Sequence, residues 1–115
     1  MLQITEHVQD NNVSLMLSGR LDIQARTLFQ TALKQAQSTN PKEIILDFRA
    51  VQFIDSSGLA LLILAKKTVL DPHCQMSLVV SSGYVRKILD LTNMGERFSI
   101  TLLEPTNHTP PPTSQ

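Results

Sequence analysis

Residues 44–59, IILDFRAVQFIDSSGL, decide the fold, because they read as a strand, a polar junction and the start of a helix in direct succession. Ile44-Ile45-Leu46 is a continuous apolar run, which is typical of a strand covered on both faces of its sheet. The segment 59–70 is too long for one strand and rich in Leu and Ala, so it predicts a helix. Asp55-Ser56-Ser57-Gly58, between the two, contains residue types that cap helix N-termini.

Upstream of this unit, the sequence predicts a hairpin and one amphipathic helix. Gln3–Val8 and Val13–Leu17 are β-prone runs, and Asp10-Asn11-Asn12 between them is typical of a tight turn. Asp22 is the expected N-cap of the helix, and Asn40-Pro41 ends it. The apolar residues of this helix recur at one face: Ala25, Leu28, Phe29, Ala32, Leu33 and Ala36.

Downstream, two more strands and a short helix complete the pattern. Met76–Val80 and Phe98–Leu103 are predicted strands, and Ser81-Ser82-Gly83 begins a helix between them. The order β-β-α-β-α-β-α-β predicts an α/β fold: a single domain whose mostly parallel sheet has an antiparallel opening hairpin and three main helices. The expected core includes these side chains: Leu28, Phe29, Leu33, Ile45, Leu62, Val79 and Ile88.

Length and charge narrow the class of protein. The 115 residues form one domain, predicted to span residues 1–104, and residues 105–115 read as a disordered Pro-rich tail. Ten basic residues balance ten acidic ones, so no direct nucleic-acid binding is expected. The apolar run 59–65 is far shorter than the ~18–20 residues of a membrane span, and residues 1–6 do not resemble a signal peptide. We therefore expect a cytoplasmic protein without a membrane partner.

Signals for catalysis, cofactors and metals are weak. Ser56 and Ser57 lack the Gly-x-Ser-x-Gly frame of a hydrolase elbow, and the four glycines are too scattered to form a phosphate loop. No histidine is well placed as a general base for Ser56, with His73 left open. Asp47 and Asp55 could meet as a hard-metal pair, but a capping or turn role is favoured for each. We expect a binding protein rather than an enzyme, with no catalytic residue, cofactor or metal.

Ser56 has two interpretations. In the first, Asp55 and Ser56 do no more than cap the following helix. In the second, Ser56 is a phosphorylation site, because a phosphate at a helix N-terminus is held by backbone N–H groups and by the positive end of the dipole. Phosphorylation would add about −1.5 to −2 charges to the surface without unfolding the helix.

Three segments resemble a known family. The stretch 44–59 is similar to the signature of STAS domains, in particular that of bacterial anti-sigma factor antagonists. Leu17–Asp22 resembles the Gly-x-Leu-Asp turn that precedes the first helix of the family, and residues 85–100 resemble its C-terminal third. The likeness covers residues 2–103 in the same order of elements.

This resemblance implies a regulator that sequesters a serine-kinase anti-sigma factor and so releases a sigma factor. The kinase of such a system modifies the serine after the aspartate, here Ser56, and a serine phosphatase reverses the modification. The partner surface of the family includes the loop that carries Asp22. Two alternatives stay open: a non-switching STAS scaffold, as in a stressosome or a lipid-transport ABC complex, and a small nucleotide-binding module. The oligomeric state is not predicted.

The helix after Ser56 adds a possible docking surface. At ~100° per residue, Ser57, Ala60 and Leu64 share one side of the helix, and Leu62 and Ala65 lie on another. If the second set faces the sheet, the first set forms a partly exposed apolar stripe, which is typical of docking surfaces. Burial of the helix all round is the alternative. The predicted partner-binding residues are Asp22, Asp55, Ser57, Gly58, Ala60 and Leu64.

Overall fold

The computed structural model describes residues 1–69 and 72–103 and contains, within them, five strands and three α-helices. In chain order these are β1 Gln3–Gln9, β2 Asn12–Leu21, α1 Arg26–Gln37, β3 Glu43–Ile54, α2 Ser56–Thr68, β4 Gln75–Val80, α3 Tyr84–Leu91 and β5 Ser99–Leu102. Short 3-10 turns occupy Ile23–Ala25 and Met94–Glu96. The predicted tail 105–115, the domain end at residue 104 and the predicted helix end at residue 70 lie outside the described residues.

The strands form a single sheet whose spatial order follows the chain, from β1 to β5. β1 is antiparallel to β2, and each later strand is parallel to the one before it. In the opening hairpin Gln9 pairs with Asn12, and Asp10 takes the left-handed conformation expected of this turn, with φ of 55°. The predicted α/β architecture, with its hairpin and three helices, is confirmed.

β2 and β3 are longer than the sequence predicts. The sequence predicts an end at Leu17 for the first and only a short apolar run, residues 44–46, for the second, but the two strands continue side by side until Leu21 pairs with Ile54. Register shifts accompany this extension, one of them next to Gly19, which has a φ of 98°. The pairing therefore carries the junctions that follow both strands to the same edge of the sheet.

The core lies on one face of the sheet, between the strands and the three helices. Parallel strands in chain order, joined by right-handed crossovers, place every crossover helix on the same face. Burial agrees, since Leu15 on β2, Leu46 on β3 and Leu78 on β4 are fully buried in one cluster with helical side chains such as Phe29 and Leu62. The opposite face is more open, and Met16 there is 42% exposed.

The predicted core is confirmed for Phe29, Leu33 and Leu62, with Ile88 packed at its margin. The prediction of a core position is wrong for three residues, Leu28, Ile45 and Val79. Leu28 is 45% exposed because it lies at the edge of the apolar stripe of α1. Ile45 and Val79 are half-buried on the open face, outside the core cluster, because β3 and β4 are covered by helices on one side.

An ion pair lies on the open face of β3. Nη2 of Arg49 is 2.7 Å from Oδ2 of Asp47, and the backbone N–H of Arg49 also donates to this carboxylate. Hydrogen bonding to Asp47 raises the pKa of Arg49 above its ordinary value. The carboxylate of Asp47 is thus paired with an arginine of the same strand, and Asp55 lies beyond the end of that strand. Among residues 1–69 and 72–103, no group of three or more potential ligands could hold a metal ion, and no helix could cross a bilayer.

Candidate partner-binding site

Two aspartates follow the paired ends of β2 and β3. Asp22 comes after Leu21 and Asp55 after Ile54, so both lie at the carboxyl edge of the sheet. Both have extended backbones, and each carboxylate accepts a hydrogen bond from a backbone N–H of the turn that follows: Asp22 from Gln24 at 3.1 Å and Asp55 from Gly58 at 2.9 Å. The predicted capping role of Asp55 is confirmed. Asp22 caps the 3-10 turn Ile23–Ala25 ahead of α1 and not α1 itself, whose N-cap, Ala25, makes no side-chain capping hydrogen bond.

Gly58 allows α2 to begin directly against the end of β2. A Cβ atom at this position would overlap the carbonyl oxygen of Leu21 and lie 2.9 Å from Cγ1 of Ile54. Gly58 is itself buried. The partner-contact role of Gly58 stays a prediction; in the structure the glycine faces β2 and β3 and offers little exposed surface of its own.

Ser56 is exposed at the first position of α2, and Ser57 beside it is half-buried. The turn below them is well ordered by its hydrogen bonds, since the carbonyl oxygen of Asp55 accepts from Leu59 N–H at 2.9 Å. The positive end of the helix dipole lies at this hydroxyl-bearing turn. The arrangement places Ser56 at the exposed, capped start of α2.

α2 continues from this turn with one exposed side and one buried side. Ala60 is exposed and Leu64 is 42% exposed, whereas Leu62 is fully buried and Ala65 is 2% exposed. The predicted stripe is therefore exposed, and the alternative of a helix buried all round is excluded for α2. The role of this stripe in partner binding stays a prediction.

The site is bordered by further residues that the sequence did not predict. Ile23, directly after Asp22, is 58% exposed on a turn that packs against α2. Arg20 lies with its Cζ 4.1 Å from the ring centroid of Phe53, and Tyr84 stacks on Phe53 with centroids 6.5 Å apart. Arg20, Phe53 and Tyr84, called the aromatic column below, come from β2, β3 and α3 respectively. No periodic pattern could have brought them together.

The aromatic column is tied to the site at two points. Nε of Arg20 is 3.5 Å from Oδ2 of Asp22, and the hydroxyl of Tyr84 donates to the carbonyl oxygen of Ile54 at 3.1 Å. Both contacts reach a capping aspartate or the residue before one.

Sequence comparisons identify the family. Residues 3–109 match the model of the STAS domain family. A STAS-domain containing protein of Pseudomonas aeruginosa (strain UCBPP-PA14) is 32% identical over 89 residues, which cover 77% of this chain and 87% of that protein.

Two solved structures show the same fold. An anti-sigma factor antagonist from Mycobacterium paratuberculosis superposes with a TM-score of 0.79 at 20% identity, covering 88% of this chain and 86% of its own. The Bacillus cell fate determinant SpoIIAA, in its phosphorylated form, gives a TM-score of 0.65 at 21% identity over 92% and 94% of the two chains. At these identities the likeness concerns the fold. The match of the family model over most of the chain, together with the Pseudomonas relative, shows that this protein belongs to the STAS domain family.

Proposed function

We propose that this protein is an anti-sigma factor antagonist that sequesters a serine-kinase anti-sigma factor and is switched off by phosphorylation of Ser56. The observation that carries the proposal is the exposure of Ser56 at the capped N-terminus of α2, beside an exposed apolar stripe. The fold likeness to an anti-sigma factor antagonist supports this role. A serine phosphatase would restore the binding form, and the system would operate in the cytoplasm.

The proposed contact surface joins two elements. The 3-10 turn contributes Asp22 and the exposed Ile23, and α2 contributes Ser57, Ala60 and Leu64. Exposed apolar side chains rimmed by polar groups are typical of protein docking surfaces. Asp55 belongs to the same surface through its half-buried carboxylate, which also holds the helix end in place. The chain acts in this proposal as a binding partner and not as an enzyme.

Phosphorylation would block docking by charge while leaving the fold intact. A phosphate at an exposed helix N-terminus is favoured by about 0.3–1 kcal/mol, so the free protein should keep its stability. Under a bound partner the same dianion would lose water beside the carboxylates of Asp22 and Asp55. A buried charge without a counter-charge costs several kcal/mol, and each ~1.4 kcal/mol is tenfold in affinity. A loss of about a hundredfold or more is therefore expected.

The test uses the serine-kinase anti-sigma factors encoded in the source genome, each purified and incubated with the chain and radiolabelled ATP. Wild-type protein and Ser57→Ala should be labelled, and Ser56→Ala should not. Ser56→Ala should still bind the kinase, because it loses one exposed hydroxyl. Label that disappears with Ser57→Ala but persists with Ser56→Ala would move the site to Ser57.

A second measurement tests how the switch works. The melting curve of the phosphorylated protein is compared with that of the unmodified protein, and the affinity of each form for the kinase is measured by calorimetry. Unchanged melting with lost affinity supports local blocking. If no kinase labels the chain, the switch is refuted and a non-switching scaffold becomes the better interpretation.

A further inference from the structure

The end of β3 that carries the site is supported by a strand on one side only. β3 pairs with β4 as far as Asp47, which lies opposite Val79. From there β3 continues to Ile54 with β2 beside it. Among the described residues, no strand pairs with the other side of this extension, and α3 packs against β3 instead.

Tyr84, the first residue of α3, makes the contacts that a strand would otherwise supply. Its hydroxyl donates to the carbonyl oxygen of Ile54 at 3.1 Å, and its ring lies nearly parallel to that of Phe53, at 15°. Arg20 packs on the same Phe53 ring from β2. Ile54 is 1% exposed and directly precedes Asp55, so the hydrogen bond of Tyr84 acts on the last peptide before the helix cap.

We propose that Tyr84 is a positioning residue for Ser56, an inference that rests on the function proposed above. Fixing the carbonyl of Ile54 fixes the peptide plane that it shares with Asp55. The carboxylate of Asp55 then stays within hydrogen-bond distance of Gly58 N–H, 2.9 Å, and holds the first turn of α2 in one conformation. The Ser56 hydroxyl is thereby presented in one orientation to a kinase, rather than on a fraying helix end.

Tyr84→Phe tests this directly, because it removes the hydroxyl and keeps the ring on Phe53. The matched control is Thr92→Val, which removes a hydroxyl that donates to a backbone carbonyl, that of Ile88 at 2.8 Å, at the opposite end of α3. Hydrogen–deuterium exchange is measured at the amides of Gly58 and Leu59, which report local opening of the helix start. Loss of one net hydrogen bond should speed exchange there by about two- to tenfold in Tyr84→Phe. Thr92→Val should leave both amides unchanged.

Steady-state phosphorylation by the same purified kinases gives the functional readout. Tyr84→Phe should lower kcat for Ser56 by a similar two- to tenfold with KM unchanged, because the contact surface is kept and its orientation is not. Thr92→Val should match the wild type. Equal exchange and equal kcat in Tyr84→Phe and wild type would overturn the inference, as would equal losses in both variants, which indicate a general loss of stability. Unlabelled wild-type protein would reject the proposed function instead, and the exchange rates alone would then decide the role of Tyr84.

Discussion

Replacement of Gly58 by alanine should destabilise the protein, although alanine is the better helix former. Gly58 lies within the first turn of α2, where its backbone is helical and a glycine-to-alanine change would ordinarily stabilise by about 0.4–1 kcal/mol. At this position, however, the new Cβ would overlap the carbonyl oxygen of Leu21 and approach Cγ1 of Ile54 at 2.9 Å. The sign of the effect therefore tests how closely α2 lies against β2.

The expected magnitude follows from two opposing effects. Overpacking costs typically 1–3 kcal/mol, and the obstacle here is the backbone of a paired strand, which moves less easily than a side chain, so we expect about 3 kcal/mol. The helix preference of alanine returns about 1 kcal/mol. The net loss of about 2 kcal/mol corresponds to a Tm lowered by about 8–10 °C in a domain of this size.

Far-ultraviolet circular dichroism, followed during thermal and urea unfolding, measures this loss for wild type and Gly58→Ala. Gly95→Ala is the matched control, because a Cβ at Gly95 would meet nothing within 4 Å. The free energy of unfolding of Gly95→Ala should lie within about 0.5 kcal/mol of the wild-type value. A Gly58→Ala protein as stable as wild type would refute the close approach of α2 to β2 and, with it, the structural role assigned to this glycine.

Four further substitutions separate the contributions of the helix cap, the core and the exposed surface. Asp55→Ala removes the acceptor of Gly58 N–H and should cost about 1 kcal/mol in urea unfolding, whereas Asp55→Asn keeps an acceptor oxygen and should retain most of it. Leu62→Ala should cost about 2–5 kcal/mol because Leu62 is fully buried. Leu64 lies two residues further along α2, on its exposed side, so Leu64→Ala should change the free energy of unfolding by less than about 0.5 kcal/mol and yet weaken binding of the kinase. Equal destabilisation by both leucine variants would contradict the division of α2 into a buried and an exposed side.

Local signals account for the parts of the fold that the sequence predicts. The turn at Asp10 and the caps at Asp22 and Asp55 depend on hydrogen bonds and dihedral angles within a few residues, so their residue types report them directly. The extension of β2 to Leu21 is different. Gly19 and the register shifts beside it interrupt the alternation of apolar and polar residues, so the pattern predicts a strand end at Leu17.

Coverage of the sheet is a tertiary property, and the sequence misled there. Ile45 and Val79 lie in continuous apolar runs that are typical of strands covered on both faces, yet the helices cover one face. At the site, the exposed stripe of α2 could be predicted from the helical period. The contact of Tyr84 with Ile54 could not, since it joins residues 30 positions apart through a strand overhang that no local pattern encodes.

The agreement between strand order and chain order has a consequence for how the protein is made. Each of β2 to β5 pairs with the strand synthesised just before it, so within the described part of the chain no strand has to be inserted between two that are already joined. A nascent chain can extend the sheet outward from the β1–β2 hairpin as each crossover helix leaves the ribosome. Each parallel pairing closes over a single helical crossover, which limits the loop-closure entropy that slows the folding of parallel sheets. Ser56 emerges well before Tyr84, and we expect its helix end to become fully ordered only when the residues through α3 have been translated.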